Sequence, residues 1–137
     1  MAQETDITGL LERARTIAVV GCSPKPDRDS HRVAAYLQAA GYRVIPINPG
    51  ADEILGVTAY PDLASIPGDI EIDIVDVFRR PEHIPAVVDA VLARGAKALW
   101  LQLGCANPDA EKRASDAGLE VVSDRCIKVE HRNRFSG

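Results

Sequence analysis

Residues 17–30 read I-A-V-V-G-C-S-P-K-P-D-R-D-S: a short apolar run that stops at Gly21 and a turn-rich loop after it. The loop opens into a helical pattern, H-R-V-A-A-Y-L-Q-A-A-G, over residues 31–41. A strand that ends in glycine and feeds a helix gathers backbone N–H groups and the positive end of a helix dipole at one point. That is how a parallel α/β sheet receives a phosphate.

The same alternation continues outward from this stretch. Residues 5–15 form a short leading helix, and residues 16–20 are an unbroken apolar strand of the kind buried on both faces. In the helix after the loop, Val33, Tyr36, Leu37 and Ala40 recur at helical spacing, and Gly41 stands where a C′ glycine belongs. Residues 43–47 are the second strand. Its Pro46 cannot donate to a ladder and so belongs at the strand's end or next to a sheet edge. Asn48-Pro49-Gly50 turns the chain. Residues 51–68 are the least regular part, read as a connection with a short strand near residues 57–60 and a helical turn near Leu63. Residues 72–78 form the third strand. Ile84, Val87, Val88, Val91 and Leu92 then make a core-facing helical stripe closed by Gly95. Residues 97–103 are the fourth strand, ended by Gly104. Asn107-Pro108 is an N-cap with Pro at N1, that helix runs to Gly118, and residues 120–123 are the fifth strand. Strands alternating with helices imply right-handed crossovers and helices on both faces of the sheet. The expected fold class is α/β, Rossmann-like, with about five mainly parallel strands.

Composition narrows the function. With 137 residues, 46% of them hydrophobic and 26% charged, the chain reads as one globular domain over residues 1–137. No apolar run approaches the roughly 20 residues of a membrane span. The polar, acidic start M-A-Q-E-T-D is not a signal peptide, so the cytoplasm is the expected compartment. Cys22, Cys105 and Cys126 lie far apart with no C-x-x-C spacing, which argues against a disulfide framework and a zinc site. A net charge of −4 makes nucleic acid a poor partner. Within residues 125–134, however, four Lys or Arg stand against one Glu. That run is read either as a solvated terminus or as a source of cations for an anionic ligand.

In an open α/β sheet the ligand lies beyond the C-terminal ends of the strands. Those ends are G-C-S-P-K-P, N-P-G, F-R-R-P and Q-L-G-C, and the first and third carry Lys25, Arg28, Arg79 and Arg80. Together they point to a phosphate-bearing ligand. The dinucleotide fingerprint G-x-G-x-x-G fits poorly, because Ser23 and Pro26 occupy its second and third glycine positions. Asn48 stands where an acid would hold a ribose. No G-K-[ST] and no G-x-S-x-G is present. His31, His83 and His131 are scattered. Asp73 and Asp76 sit in a buried-type strand, where capping of a neighbouring backbone competes with a catalytic reading.

The blocks V-V-G-C-S-P-K-P-D-R-D-S-H-R-V-A-A-Y-L, G-Y-R-V-I-P-I-N-P, I-L-G-V-T-A-Y-P-D-L, D-I-V-D-V-F-R, G-A-K-A-L-W-L-Q-L-G and V-V-S-D-R-C-I-K-V-E-H, in that order, resemble the small stand-alone CoA-binding proteins. These are related to the N-terminal CoA-binding domain of the succinyl-CoA synthetase α subunit. The resemblance covers residues 17–131. It implies a Rossmann-like fold that binds coenzyme A or an acyl-CoA, with no established catalysis for the stand-alone form. Carried over by position, it places the 3′,5′-ADP and pyrophosphate against Gly21, Cys22, Ser23 and Pro24, with Lys25, Arg28 and Ser30 close by. Asn48 and Pro49 would border the nucleotide, Phe78 and Arg79 would contact it, and Gln102 would face the pantetheine arm. Cys105 departs from the family pattern and is given no role. The phosphohistidine and further domains of the synthetase do not fit in this length. Two other readings stay open. One is thiol chemistry with CoA at Cys22 or at Cys126, which has Arg125, Lys128 and His131 nearby in sequence. The other is an NAD(P)-binding or nucleotide-sensing module read by an unknown protein partner.

Overall fold

The computed structural model describes residues 5–135. Most of the polar start, residues 1–4, lies outside them, as do residues 136–137. The chain runs α1 (Ile7–Arg13), β1 (Thr16–Val20), α2 (Asp29–Ala39), β2 (Arg43–Ile47), β3 (Glu53–Ile54), β4 (Val57–Thr58), β5 (Ile74–Val77), α3 (Ile84–Arg94), β6 (Ala98–Leu101), α4 (Pro108–Asp116), β7 (Glu120–Ser123) and α5 (Ile127–Phe135). Five strands form one parallel sheet in the order β2-β1-β5-β6-β7. The fold is α/β and Rossmann-like. From β1 the chain goes first to one side and then to the other, so strand order reverses between β1 and β5.

Side chains alternate across the sheet and build two cores. Ile17, Val19, Ile74, Ala98, Trp100 and Val122 meet α1, α2 and α5 through Leu11, Leu37 and Ile127. Ala18, Val75, Val77, Leu99 and Leu101 meet α3 and α4 through Ile84, Val88, Val91 and Ala114 on the other face. Pro46 sits in β2, an edge strand, where its missing N–H costs no central ladder bond. Gly41 (φ +105°) follows the C-cap of α2, and Asn107 caps α4 by accepting from the Ala110 N–H.

Four readings need correction. The third and fourth strands are shorter than residues 72–78 and 97–103, because the ladder ends at the Val77 and Leu101 pair. Leu103 turns outward instead and is 65% exposed. The α3 stripe is narrower than its periodicity suggests. Ile84, Val88 and Val91 are buried, while Leu92 is exposed at its margin. The irregular crossover holds an antiparallel β3–β4 hairpin that the sequence reading lacked. Its turn places Leu55 (φ 55°) and Gly56 (φ 74°) in the left-handed region, as a two-residue hairpin demands. The short strand expected near residues 57–60 is β4 plus a separate bridge from Tyr60 to Ile47, and the turn at Leu63 is a 3-10 turn (Leu63–Ser65).

The fourth concerns the basic run, which is not a solvated tail. It is α5, packed on α1 and α2. Only Ile127 of this helix is buried, so its sequence carries almost no apolar stripe. Polar contacts hold it instead. The Ile127 N–H donates to Gln102 Oε1 at 3.1 Å, and the His131 Nδ1 and Tyr36 hydroxyl lie 2.8 Å apart.

Asp73 anchors the opposite, N-terminal edge of the sheet. Its Oδ2 accepts from the Arg15 and Thr16 N–H groups at 2.9 and 3.0 Å, and the Lys97 ammonium lies 3.3 Å from Oδ1. Burial pushes this carboxyl up, but the two N–H groups and Lys97 outweigh it and hold it below its ordinary value. A depressed carboxyl stabilises the fold fully above its unfolded pKa and loses that contribution as pH falls through the folded one. Asp73→Ala is therefore expected to lower the unfolding free energy by ~1–2 kcal/mol at neutral pH. The gap from the parent should close on acidification, as measured by denaturant titration at each pH.

Candidate functional site

The switch point is a junction of three strand ends. The Gly21 and Cys22 N–H groups donate to the Ile47 carbonyl at 3.1 and 3.3 Å, and the Phe78 N–H donates to the Val20 carbonyl at 2.9 Å. Gly21 has φ +82°, and a Cβ there would lie 2.4 Å from the Phe78 carbonyl oxygen. Only glycine satisfies both conditions.

The loop after Gly21 is held by its own polar groups. Ser23 N–H donates to Ser30 Oγ at 2.9 Å, and Lys25 N–H to Ser23 Oγ at 3.1 Å. His31 Nδ1 lies 2.9 Å from the Ser23 carbonyl. Asn48 reaches across from the end of β2, donating through Nδ2 to the Cys22 carbonyl at 2.9 Å and accepting from Gly50 N–H at 2.7 Å. The N–H groups of residues 21, 22, 23 and 25 are thus engaged inside the protein, and Pro24 and Pro26 have none. The donors left for an anion stand one step further on. The Asp29, Ser30 and His31 N–H groups in the first turn of α2 have no acceptor among the described residues. That end also carries the positive pole of an 11-residue helix.

Two cavities flank Gly21. On the α2 side a cavity of about 580 Å³ is bordered by Gly21, Ser23, Lys25, Arg28, Ser30 and Phe78, with Asp27, Asp29 and Arg32. On the α3 side a cavity of about 390 Å³ is bordered by Gly21, Asn48, Pro49 and Arg79. Its walls are Val20, Ile47, Leu63, Val87 and neighbouring apolar groups, with Asp62 and His83 at polar positions. The first is cationic and open; the second is mostly apolar. Nine of the expected site residues therefore border one cavity or both.

The other three lie elsewhere. Cys22 is fully buried in the α2-side core, Pro24 is exposed in the turn, and Gln102 is buried with its Oε1 turned to α5. Sequence reasoning missed Arg32, whose guanidinium is held by the Asp27 carbonyl and the Asp29 carboxylate. Its position four residues after Arg28, on the same face of α2, was the available signal. It also missed Asp62 and His83, which reach the α3-side cavity from segments with no local signature.

The two buried thiols, Cys22 and Cys105, are held in their protonated form. Burial, with the Asp76 charge second, pushes the Cys22 thiol up to about 11. Burial also pushes Cys105 up. The cations near Cys126 in sequence are drawn elsewhere. Arg125 lies 3.4 Å from Glu130, and Lys128 sits 5.7 Å from the centre of the Tyr36 ring. Burial lowers the pKa of His131, which favours its neutral form. Of the two strand carboxylates, Asp73 caps backbone as described, whereas Asp76 is fully buried with neither oxygen hydrogen-bonded among the described residues. Among those residues there is no metal-holding group of three or more His, Cys, Asp or Glu, and no helix is long and apolar enough to cross a membrane.

Comparison with known proteins gives the family. An uncharacterized protein of Bacillus subtilis, YneT, is 45% identical over 128 residues, which span 93% of each chain. A hypothetical protein from Pyrococcus horikoshii superposes with a TM-score of 0.91 at 38% identity, covering 99% of this chain and 100% of the other. The ADP-forming acetate–CoA ligase II of Archaeoglobus fulgidus is 26% identical over 119 residues, 84% of this chain but 17% of the ligase. Residues 15–132 match the family model described as a CoA binding domain. The chain belongs to the CoA-binding domain family.

Proposed function

We propose that the chain binds coenzyme A or an acyl-CoA across Gly21, as a ligand-binding protein with no catalytic constellation of its own. One observation carries this reading: a cationic cavity and an apolar one meet at a glycine that leaves no room for a Cβ. A long ligand with a flat apolar end, a charged middle and a flexible arm suits such a pair. The adenosine lies in the α3-side cavity between Ile47, Leu63 and Val87, beside Asn48 and Pro49. The Arg79 guanidinium takes the 3′-phosphate. The diphosphate crosses Gly21 to Lys25, Arg28 and the first-turn N–H groups of α2, and the pantetheine arm continues past Phe78. Cys22 plays a packing role, since a buried thiol pushed to about 11 is a poor nucleophile.

Calorimetry with CoA, acetyl-CoA, NAD and ATP tests the reading. CoA or its thioester is expected to bind tightest, and NAD binding more tightly than CoA would overturn it. Arg28→Ala is expected to weaken CoA roughly tenfold or more, the worth of one charge-assisted hydrogen bond. Arg79→Ala should erase the preference for CoA over dephospho-CoA. Gly21→Ala is a separate check. The left-handed backbone alone costs a side chain ~1–2 kcal/mol, and the clash with the Phe78 carbonyl adds to it. This variant should melt lower and lose CoA binding, read by thermal shift with and without ligand.

A further inference from the structure

Asp76 is the one fully buried acid among the described residues. It sits in β5 with Val19 and Trp100 as its register partners on the strands either side. All three side chains share the face that packs on α1, α2 and α5. Neither carboxyl oxygen has a hydrogen-bond partner among the described residues. A lone carboxylate cannot be held in such a place at acceptable cost, so the group keeps its proton. Burial alone pushes it well above the ordinary carboxylate range.

The place of this acid is what matters for the ligand. Phe78, two residues further along the same strand direction, packs on the same core and borders the α2-side cavity. Asp76 therefore lies about 7 Å below the cavity wall, one pleat down. Titratable neighbours reach it from the loop after β1 through Cys22 and from the loop after β6 through Cys105, both thiols that its charge would push up further. The same core also holds Cys126 from just before α5, Tyr36 from α2 and Tyr42 from the turn before β2, and His131 of α5, which lies against both tyrosines, is biased to its neutral form by burial. None of these is a cation that would compensate an ionised Asp76. Loss of the proton would place an unpaired negative charge beneath the cavity that, on the reading above, holds a diphosphate.

We infer that Asp76 is a proton-linked positioning residue: its proton and the anionic ligand bind together, and each strengthens the hold on the other. The inference rests on the CoA reading of the site. It follows from reciprocity, because a ligand that disfavours the ionised acid must itself be disfavoured by ionisation.

The test is the affinity for CoA as a function of pH in the parent protein and in Asp76→Asn, which is neutral at every pH. The two should bind alike in mild acid. As pH rises, the parent should weaken relative to the variant, approaching tenfold per pH unit once the free protein releases the proton. Ionisation of the ligand's own 3′-phosphate is common to both and cancels in the ratio. Parallel profiles overturn the inference, as does an Asp76→Asn variant that binds weakly even in mild acid. If Asp76→Asn does not fold, Asp76→Leu takes its place, and proton uptake on binding is also counted for the parent by calorimetry in two buffers of different ionisation enthalpy. Uptake that grows with pH supports the linkage, and none overturns it. Absence of CoA binding at every pH instead removes the reading of the site, and the inference with it. The two failures are thus told apart.

Discussion

The Gly21 α-carbon faces the Phe78 carbonyl so closely that the ends of β1 and β5 meet with nothing between them. The Ile47 carbonyl ties in the end of β2 by accepting from both Gly21 and Cys22. Three strand ends are thereby drawn to one point, and the cavities on either side open onto that point. A parallel sheet spaces its strands about 4.8 Å apart. A ligand that crosses from one face to the other at the switch point needs the low wall that only a glycine provides.

The loop beyond that contact is organised by a division of labour among donors. Its own N–H groups hold its shape, through Ser30 Oγ, Ser23 Oγ and the Ile47 carbonyl. The free donors are those at the start of α2. In a glycine-rich phosphate loop the loop itself supplies the donors. Here Pro24 and Pro26 remove two of them, and the serines stiffen the remainder. The positive potential at this point then comes from the helix end, Lys25 and Arg28.

The two carboxyl groups of residues 73–76 are treated in opposite ways. Asp73, at the N-terminal edge, is met by two backbone donors and a lysine. Asp76, one pleat below the ligand edge, is met by nothing among the described residues. An unpaired buried acid is a liability for stability alone. Its position, one pleat below Phe78 at the α2-side cavity, is what the proposed proton linkage rests on.

Much of the frame was legible in the sequence. The bounds of β1, β2 and β7 are those expected, because short apolar strands framed by glycine, proline and asparagine leave little freedom. Gly41, Gly95 and Asn107 punctuate the helices where anticipated. Of the four strand-end loops named from the sequence, those after β1, β2 and β5 border the two cavities, since strand ends in a parallel sheet share one edge, and the Q-L-G-C loop borders neither. Tertiary structure alone decided the rest. Helix α5 has a single buried residue, and its hold on the protein comes from Gln102 and Tyr36, 25 and 95 positions away in the chain. Gln102, expected at the ligand, turns to α5 because the buried Ile127 N–H needs an acceptor. The split of the site into a cationic and an apolar cavity arises because alternate residues at a strand's end face opposite sides of the sheet. No local pattern shows which helix each of them will meet.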